Sequence, residues 1–329
     1  MDIYIWGSIL IGCCIGIMKS CDFFEPGADY IGRNMSAGAR GALINALGSS
    51  MPELLVTLSF VLTGNPNLIL AGIAVTAGSA IFNAVLIPAI SILFTEGKME
   101  LDRKVLMRDG VYLLIIEGIL IWMLGQAAFT LPMVISLILS YSIYAYNVII
   151  DSNKNTKEIK EYTGEIKSGK IAWSYLIGSM TFLSFFCHYL AKSIDHIAHI
   201  ANWPVYIVAV TLGAAATSLP DTILSVKSAK DGEGDDAVGN AIGSNIFDVT
   251  GALAIPMLLV MIIMHFNGEN MSLPIEQSSG LTGLRYFVWG TSAAVIGILM
   301  TFAKGIENNV AGLLLGIYGI WITYLVFWC

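Results

Sequence analysis

Residues 217–226 read TSLPDTILSV and residues 49–58 read SSMPELLVTL. Each stretch holds two adjacent hydroxyls, a proline and a carboxylate, in that order, inside apolar surroundings. Proline removes a backbone donor and breaks or kinks a helix. An acid at the centre of a membrane helix costs at least about 2.5–3.5 kcal/mol and is functional by default. The same costly combination occurs twice, 168 residues apart. A second pair of blocks follows each stretch: GSAIFNAVLIPAI at 78–90 and GSNIFDVTGALAI at 243–255, offset by 165. Two blocks in the same order mark an internal repeat.

Around these blocks the chain is greasy. Of 329 residues, 56% are hydrophobic and 12% charged, where globular domains run near about 25% charged. The composition is that of an integral membrane protein, with the lipid bilayer as its solvent. Twenty-four acids against 17 bases give a net charge of −7, which provides no nucleic-acid footprint. The N-terminal MDIYIWGSIL has no basic n-region and no small-residue cleavage site, so it reads as a first span. Cys13, Cys14, Cys21, Cys187 and Cys329 form neither zinc spacing nor a disulfide framework. Asp195, His196 and His199 sit near a span end and read as interfacial, and His188 as a hydrogen-bonding residue inside the bundle. No catalytic residue and no resident cofactor is expected, and the chain is expected to be a monomer.

Apolar runs long enough to span a bilayer fall at about 3–32, 36–62, 67–95, 109–126, 129–150, 172–199, 203–228, 237–265, 281–303 and 308–328. Connectors after the odd runs carry Arg33; Lys98, Arg103, Lys104 and Arg108; Lys154 to Lys170; Lys227 and Lys230; and Lys304. Those after the even runs, TGNPN, GQAAF, IAN and NGENMSLPIEQSSG, carry no Lys or Arg. Arg285, just inside the start of the ninth run, is one blemish. The positive-inside rule then puts both termini outside. Five spans per half force the second half into the membrane upside down. The expected fold is an all-α membrane protein of ten transmembrane helices in two inverted five-helix repeats, with broken helices at a midplane ion site. Residues 1–150 form the first repeat, 151–171 a charged cytoplasmic linker, and 172–329 the second, inverted repeat.

Pro52 and Pro220 release the carbonyls of Gly48 and Ala216, and irregular backbone at this depth must face protein or a watery cavity. Ser49, Ser50 and Glu53 share one helical face, and Thr217, Ser218 and Asp221 repeat it. Ser79 and Asn83 are four apart, as are Ser244 and Asp248. Carboxylates, hydroxyls, an amide and carbonyls, with no thiolate or imidazole, suit Ca2+, Na+ or K+. Three ionised carboxylates carry about −3, which is costly to move across a low-dielectric barrier unless cations fill the site. A site that reorients only when filled exchanges ions.

These motifs resemble the α-repeats of the cation/Ca2+ exchanger superfamily, of the Na+/Ca2+ exchanger type. SLPDTILSVKSAKDGEGDDAVGNAIGSNIFDV at 218–249 is most similar to the K+-dependent branch and its prokaryotic relatives, and SSMPELLVTL with GSAIFN is similar to the first repeat. The resemblance implies Ca2+ export against Na+ by alternating access, and the short central connector points to a prokaryotic plasma membrane. It implies Glu53 and Asp221 as central Ca2+ carboxylates and Ser49, Ser50, Thr217 and Ser218 as ligands chiefly for Na+. Carbonyls near Ala46 and Ala214 would serve peripheral Na+ sites, and Ser79, Asn83, Ser244 and Asp248 would complete the set. It also implies that spans 1 and 6 slide over the rest. Departures are mild: Ser49 where Thr is common, Met51 where a small residue is common, and GSA at 78–80. Asp248 accompanies K+ use in one branch, so K+ dependence stays open. GNAIG at 239–243 has Gly where proton-coupled members carry Glu. The alternatives are an H+-coupled or other divalent-cation exchanger, an intramembrane aspartyl protease using Asp221 and Asp248, and a passive channel. The acidic DGEGDD at 231–236 fails EF-hand spacing and reads as a solvated turn.

Overall fold

The computed structural model describes residues 2–35, 39–154, 162, 164–275 and 279–328. Residues 36–38 of the expected second span, part of the linker (155–161 and 163) and Cys329 lie outside the described residues. Helix α1 (Asp2–Gly32) is continuous through Pro26. Helices α2 (Arg40–Ser49) and α3 (Met51–Val61) form one bent pair. Then follow α4 (Pro66–Phe94), α5 (Arg103–Leu124), α6 (Leu131–Lys154) and α7 (Gly169–Ala201). A second bent pair is α8 (Val205–Thr217) with α9 (Leu219–Lys230). The chain ends with α10 (Gly234–Phe266), α11 (Ser279–Phe302) and α12 (Asn308–Trp328). Side-chain caps fix two starts. Asn65 accepts from the Asn67 N–H ahead of Pro66, and Asp102 accepts from the Lys104 N–H.

Among the described residues, seven helices are long and apolar enough to cross a membrane, or nine if each bent pair is one span. Helix α5, which carries Arg108, Asp109 and Glu117, is not among them. The expected helical architecture is joined by two three-residue strands, β1 (Ala128–Thr130) and β2 (Ser272–Pro274), paired antiparallel. Strands this short carry no readable period, so the sequence does not announce them.

Helices α4 and α10 run through the centre: 89% and 72% of their apolar windows are buried, against 22% for α1, α6 and α7. The bent pairs pack on α4 and α10, while α1 packs chiefly against α7 at the periphery. Two close approaches lock the centre and mirror each other. A Cβ on Gly78 of α4 would strike the Val210 carbonyl oxygen of α8, and one on Gly243 of α10 would strike the Ala42 carbonyl oxygen of α2. Gly78 and Gly243 stand at the same place in the repeat, as do Ala42 and Val210. The central helix of each half is thus clamped to the bent pair of the other half, through small residues that let backbones approach. The periphery leaves Ile115, Trp122, Leu139, Ile177, Phe182 and Ile320 exposed, as a lipid-facing surface requires.

Candidate cation site

The pairs bend by 41° at Ser50 and 40° at Ser218, and the two serines share one conformation, φ/ψ −87/6 and −80/3. Each proline lies in the first turn of the second half-helix, where its missing N–H would have had no helical partner. The break therefore precedes the proline. Glu53 and Asp221 occupy the same first turns, at the positive ends of those half-helices. Upstream of each break the backbone widens into π-helix, at Arg40–Asn45 and Ala209–Gly213, and a third π segment, Asp248–Ala252, begins at Asp248. Such bulges concentrate at functional sites.

All twelve candidate residues are buried. Ser79 Oγ stands at the junction: 3.2 Å from Glu53 Oε1, 2.8 Å from Asp248 Oδ2 and 2.9 Å from Ser218 Oγ. Ser218 Oγ lies 3.3 Å from Glu53 Oε1. Asn83 Nδ2 donates to Ser79 Oγ at 3.2 Å and to Asp248 Oδ2 at 3.3 Å. Asp221 Oδ1 accepts from Ser49 Oγ at 2.5 Å and from Ser244 Oγ. Thr217 lies beside Glu53, and Ser50 beside Asp248. The carbonyls of Ala46 and Ala214 sit at the breaks: Ala46 accepts from the Ser50 N–H at 3.0 Å and from Ser49 Oγ at 3.4 Å, and Ala214 from the Ser218 N–H at 3.0 Å and from Thr217 Oγ1 at 3.2 Å.

One oxygen of each carboxylate is satisfied and the other is not. Glu53 Oε2, Asp221 Oδ2, Asp248 Oδ1 and Asn83 Oδ1 are buried without a hydrogen-bond partner. An unmet buried acceptor costs about 1–3 kcal/mol, more when charged. Among the described residues, no Lys, Arg or His pairs with any of the three acids. Nor does any group of three or more His, Cys, Asp or Glu form a metal cluster among them. Glu53 and Asp248 are linked through the Ser79 hydroxyl, and no hydrogen bond joins Asp221 and Asp248, the arrangement an aspartyl-protease pair would need.

Several polar residues in the same core were not singled out by the sequence reading. Asn240 Oδ1 lies 3.3 Å from Ser49 Oγ, and its Nδ2 donates to the Asp221 carbonyl and to Ser225 Oγ. Asn245 Nδ2 donates to the Ala80 carbonyl, its own counterpart in the first repeat, and its Oδ1 is unmet. Away from the site, buried Glu117 accepts from Ser292 Oγ at 2.7 Å. An acid within LLIIEGILIW is as legible as Glu53, but it lacks the repeated motif around it. The acidic turn is also more tied than expected. Glu233 and Asp236 hold Arg40, and Asp235 accepts from the Asp102 N–H at 2.7 Å. His199 pairs with Asp195 at 3.4 Å and His196 stacks on Trp6, near a span end.

A family profile described as "Sodium/calcium exchanger protein" matches residues 5–150 and 171–327. Sodium/potassium/calcium exchanger 2 of Gallus gallus is 32% identical over 149 residues, which is 45% of this chain and 22% of that protein. The chain thus spans about a fifth of the length of such relatives. A membrane protein of Methanocaldococcus jannaschii is 28% identical over 277 residues, 82% of this chain and 85% of that one. Among solved structures, the sodium-calcium exchanger NCX_Mj aligns with a TM-score of 0.66 at 24% identity, covering 98% of this chain and 99% of that one.

Proposed function

We propose that this chain, which belongs to the sodium/calcium exchanger protein family and is an integral multi-pass membrane protein, exchanges Ca2+ for Na+ by alternating access. The observation that carries the proposal is the set of four buried, unpartnered oxygens on Glu53, Asn83, Asp221 and Asp248, drawn from both halves into one core. Hard cations satisfy such oxygens and offset the three charges. The ions are substrates, not a resident cofactor. Glu53 and Asp221 hold Ca2+ from opposite half-helices. Hydroxyls of Ser49, Ser50, Thr217 and Ser218 and the carbonyls of Ala46 and Ala214 serve Na+. Ser79, Asn83, Ser244 and Asp248 close the ring. K+ at Asp248 is tested by adding it to either face.

The architecture that fits is ten spans, with α5 included, in two inverted five-helix repeats. These are residues 1–150 and 172–329, joined by a cytoplasmic linker, in a monomer with both termini outside a prokaryotic plasma membrane. The reciprocal clamping of Gly78 on Val210 and Gly243 on Ala42 supports that relation. The test is 45Ca2+ uptake into Na+-loaded proteoliposomes, against vesicles with only a K+ or only a pH gradient. Uptake driven by the outward Na+ gradient and lost in Glu53→Gln is the expected result. Uptake driven by the pH gradient alone replaces Na+ with H+ as the coupling ion, and no uptake under any gradient sinks the proposal.

A further inference from the structure

A narrow cavity borders the cation site at Ser49 and is lined also by Asn45, Gly48, Cys21, Phe24 and Glu25. It holds about 10 Å³, enough for about one water molecule and too little for a hydrated ion. Two features of α1 shut it. The Phe24 ring lies on Gly48, where a Cβ would strike it. One turn of α1 carries the second feature: Glu25 pairs with Lys227 of α9. Among the described residues this is the side-chain hydrogen bond that ties α1 to α9. Glu25 is 27% exposed and Lys227 57% exposed, so the pair sits where the cavity meets the outside.

We propose that Glu25 is the carboxylate that receives cations at this mouth, that Lys227 caps it as a tethered cation while the path is shut, and that Phe24 is the plug. The inference rests on the exchanger reading for what passes, and on the cavity alone for where. A carboxylate at the mouth concentrates cations from solution. An arriving ion competes with the Lys227 ammonium for Glu25. Once displaced, Lys227 no longer holds α1 to α9, and Phe24 can leave Gly48. In the orientation proposed above this mouth is cytoplasmic. Nearby Asp29, one turn farther along α1, feels both Lys227 and Arg40 and adds to the negative rim.

The test uses the full chain with Cys21 as its sole cysteine, reconstituted in liposomes and labelled with a small cationic methanethiosulfonate. The readout is the rate of Cys21 modification. Lys227→Gln is expected to raise that rate about two- to fivefold, the size appropriate to a half-exposed ion pair. Phe24→Ala is expected to raise it further. The charge swap, Glu25→Lys with Lys227→Glu, is expected to return it to the parent rate, which shows that the pair is what matters. Equal rates in Lys227→Gln and the parent, or a swap that labels as fast as Lys227→Gln, overturn the gate. Labelling that follows the expected order in a protein without Na+-driven Ca2+ uptake leaves the gate standing and removes the exchange reading. Uptake without any change in labelling does the reverse.

Discussion

Asn83 shows how much of the site is decided by single atoms. Its amide nitrogen is spent on Ser79 and Asp248, so its orientation is set and its oxygen points where nothing in the protein meets it. An oxygen held in place and unpaired is a ligand waiting for a cation. Asn83→Ala removes that oxygen, together with the amide donor to Ser79 and Asp248. Half-saturating Ca2+ in Na+-driven uptake is expected to rise about ten- to hundredfold, the value of a contact to a charged group. Ser59→Ala serves as comparison, because the Ser59 hydroxyl only returns to the Leu55 carbonyl of its own helix, and it is expected to stay within about twofold. Equal half-saturation in both variants would place the Asn83 oxygen away from the ion. At this scale the sequence was informative, because a polar atom in an apolar run has few uses and each use has a characteristic spacing. Asn240 and Asn245 escaped because an amide in a glycine-rich helix is equally suited to a helix contact, and only the fold shows that Asn240 reaches Ser49.

The elements explain why the breaks fall where they do. Proline and glycine made two interruptions legible, and the bends of 41° and 40° sit one residue before the expected carboxylate turn. The π segments were not legible, since a single extra backbone carbonyl per turn leaves no residue signature beyond small side chains. They matter because they turn the carbonyls of Ala42 and Val210 toward the central helix of the opposite half, against Gly243 and Gly78. Gly78→Val and Gly243→Val are therefore each expected to destabilise the protein by about 1–3 kcal/mol through overpacking against backbone, read as a thermal midpoint several degrees lower in detergent. Gly118→Val, on α5 with open space around its Cβ position, is expected to leave the midpoint within a degree or two of the parent. A similar midpoint in all three would mean that the halves are not clamped at these glycines.

Across the whole molecule, the balance of charge and solvent sets the terms of the proposed exchange. The outer faces are apolar and the connectors carry most of the bases, so hydropathy and Lys/Arg position already outlined the spans. What they could not outline is the depth of enclosure. Glu53, Asp221 and Asp248 are wholly buried, and the cavity that leaves toward Glu25 admits about one water. An enclosed group of three carboxylates with no basic partner can be neutralised only by protons or by the ions themselves. Reorienting it while empty and ionised means carrying that charge through the low-dielectric barrier, and even a well-paired buried ion costs several kcal/mol to desolvate. Efflux should then depend on what waits outside. Vesicles loaded with 45Ca2+ and diluted into choline medium free of Na+ and Ca2+ are expected to hold their label, and addition of either Na+ or unlabelled Ca2+ is expected to release it. A channel through the same oxygens would drain the vesicles in choline alone. A proton-coupled carrier would drain them when the choline medium is acidified with no Na+ present. Retention in choline at either pH, followed by release on Na+, is the one pattern that three buried and unpaired acids, opened to one side at a time, produce.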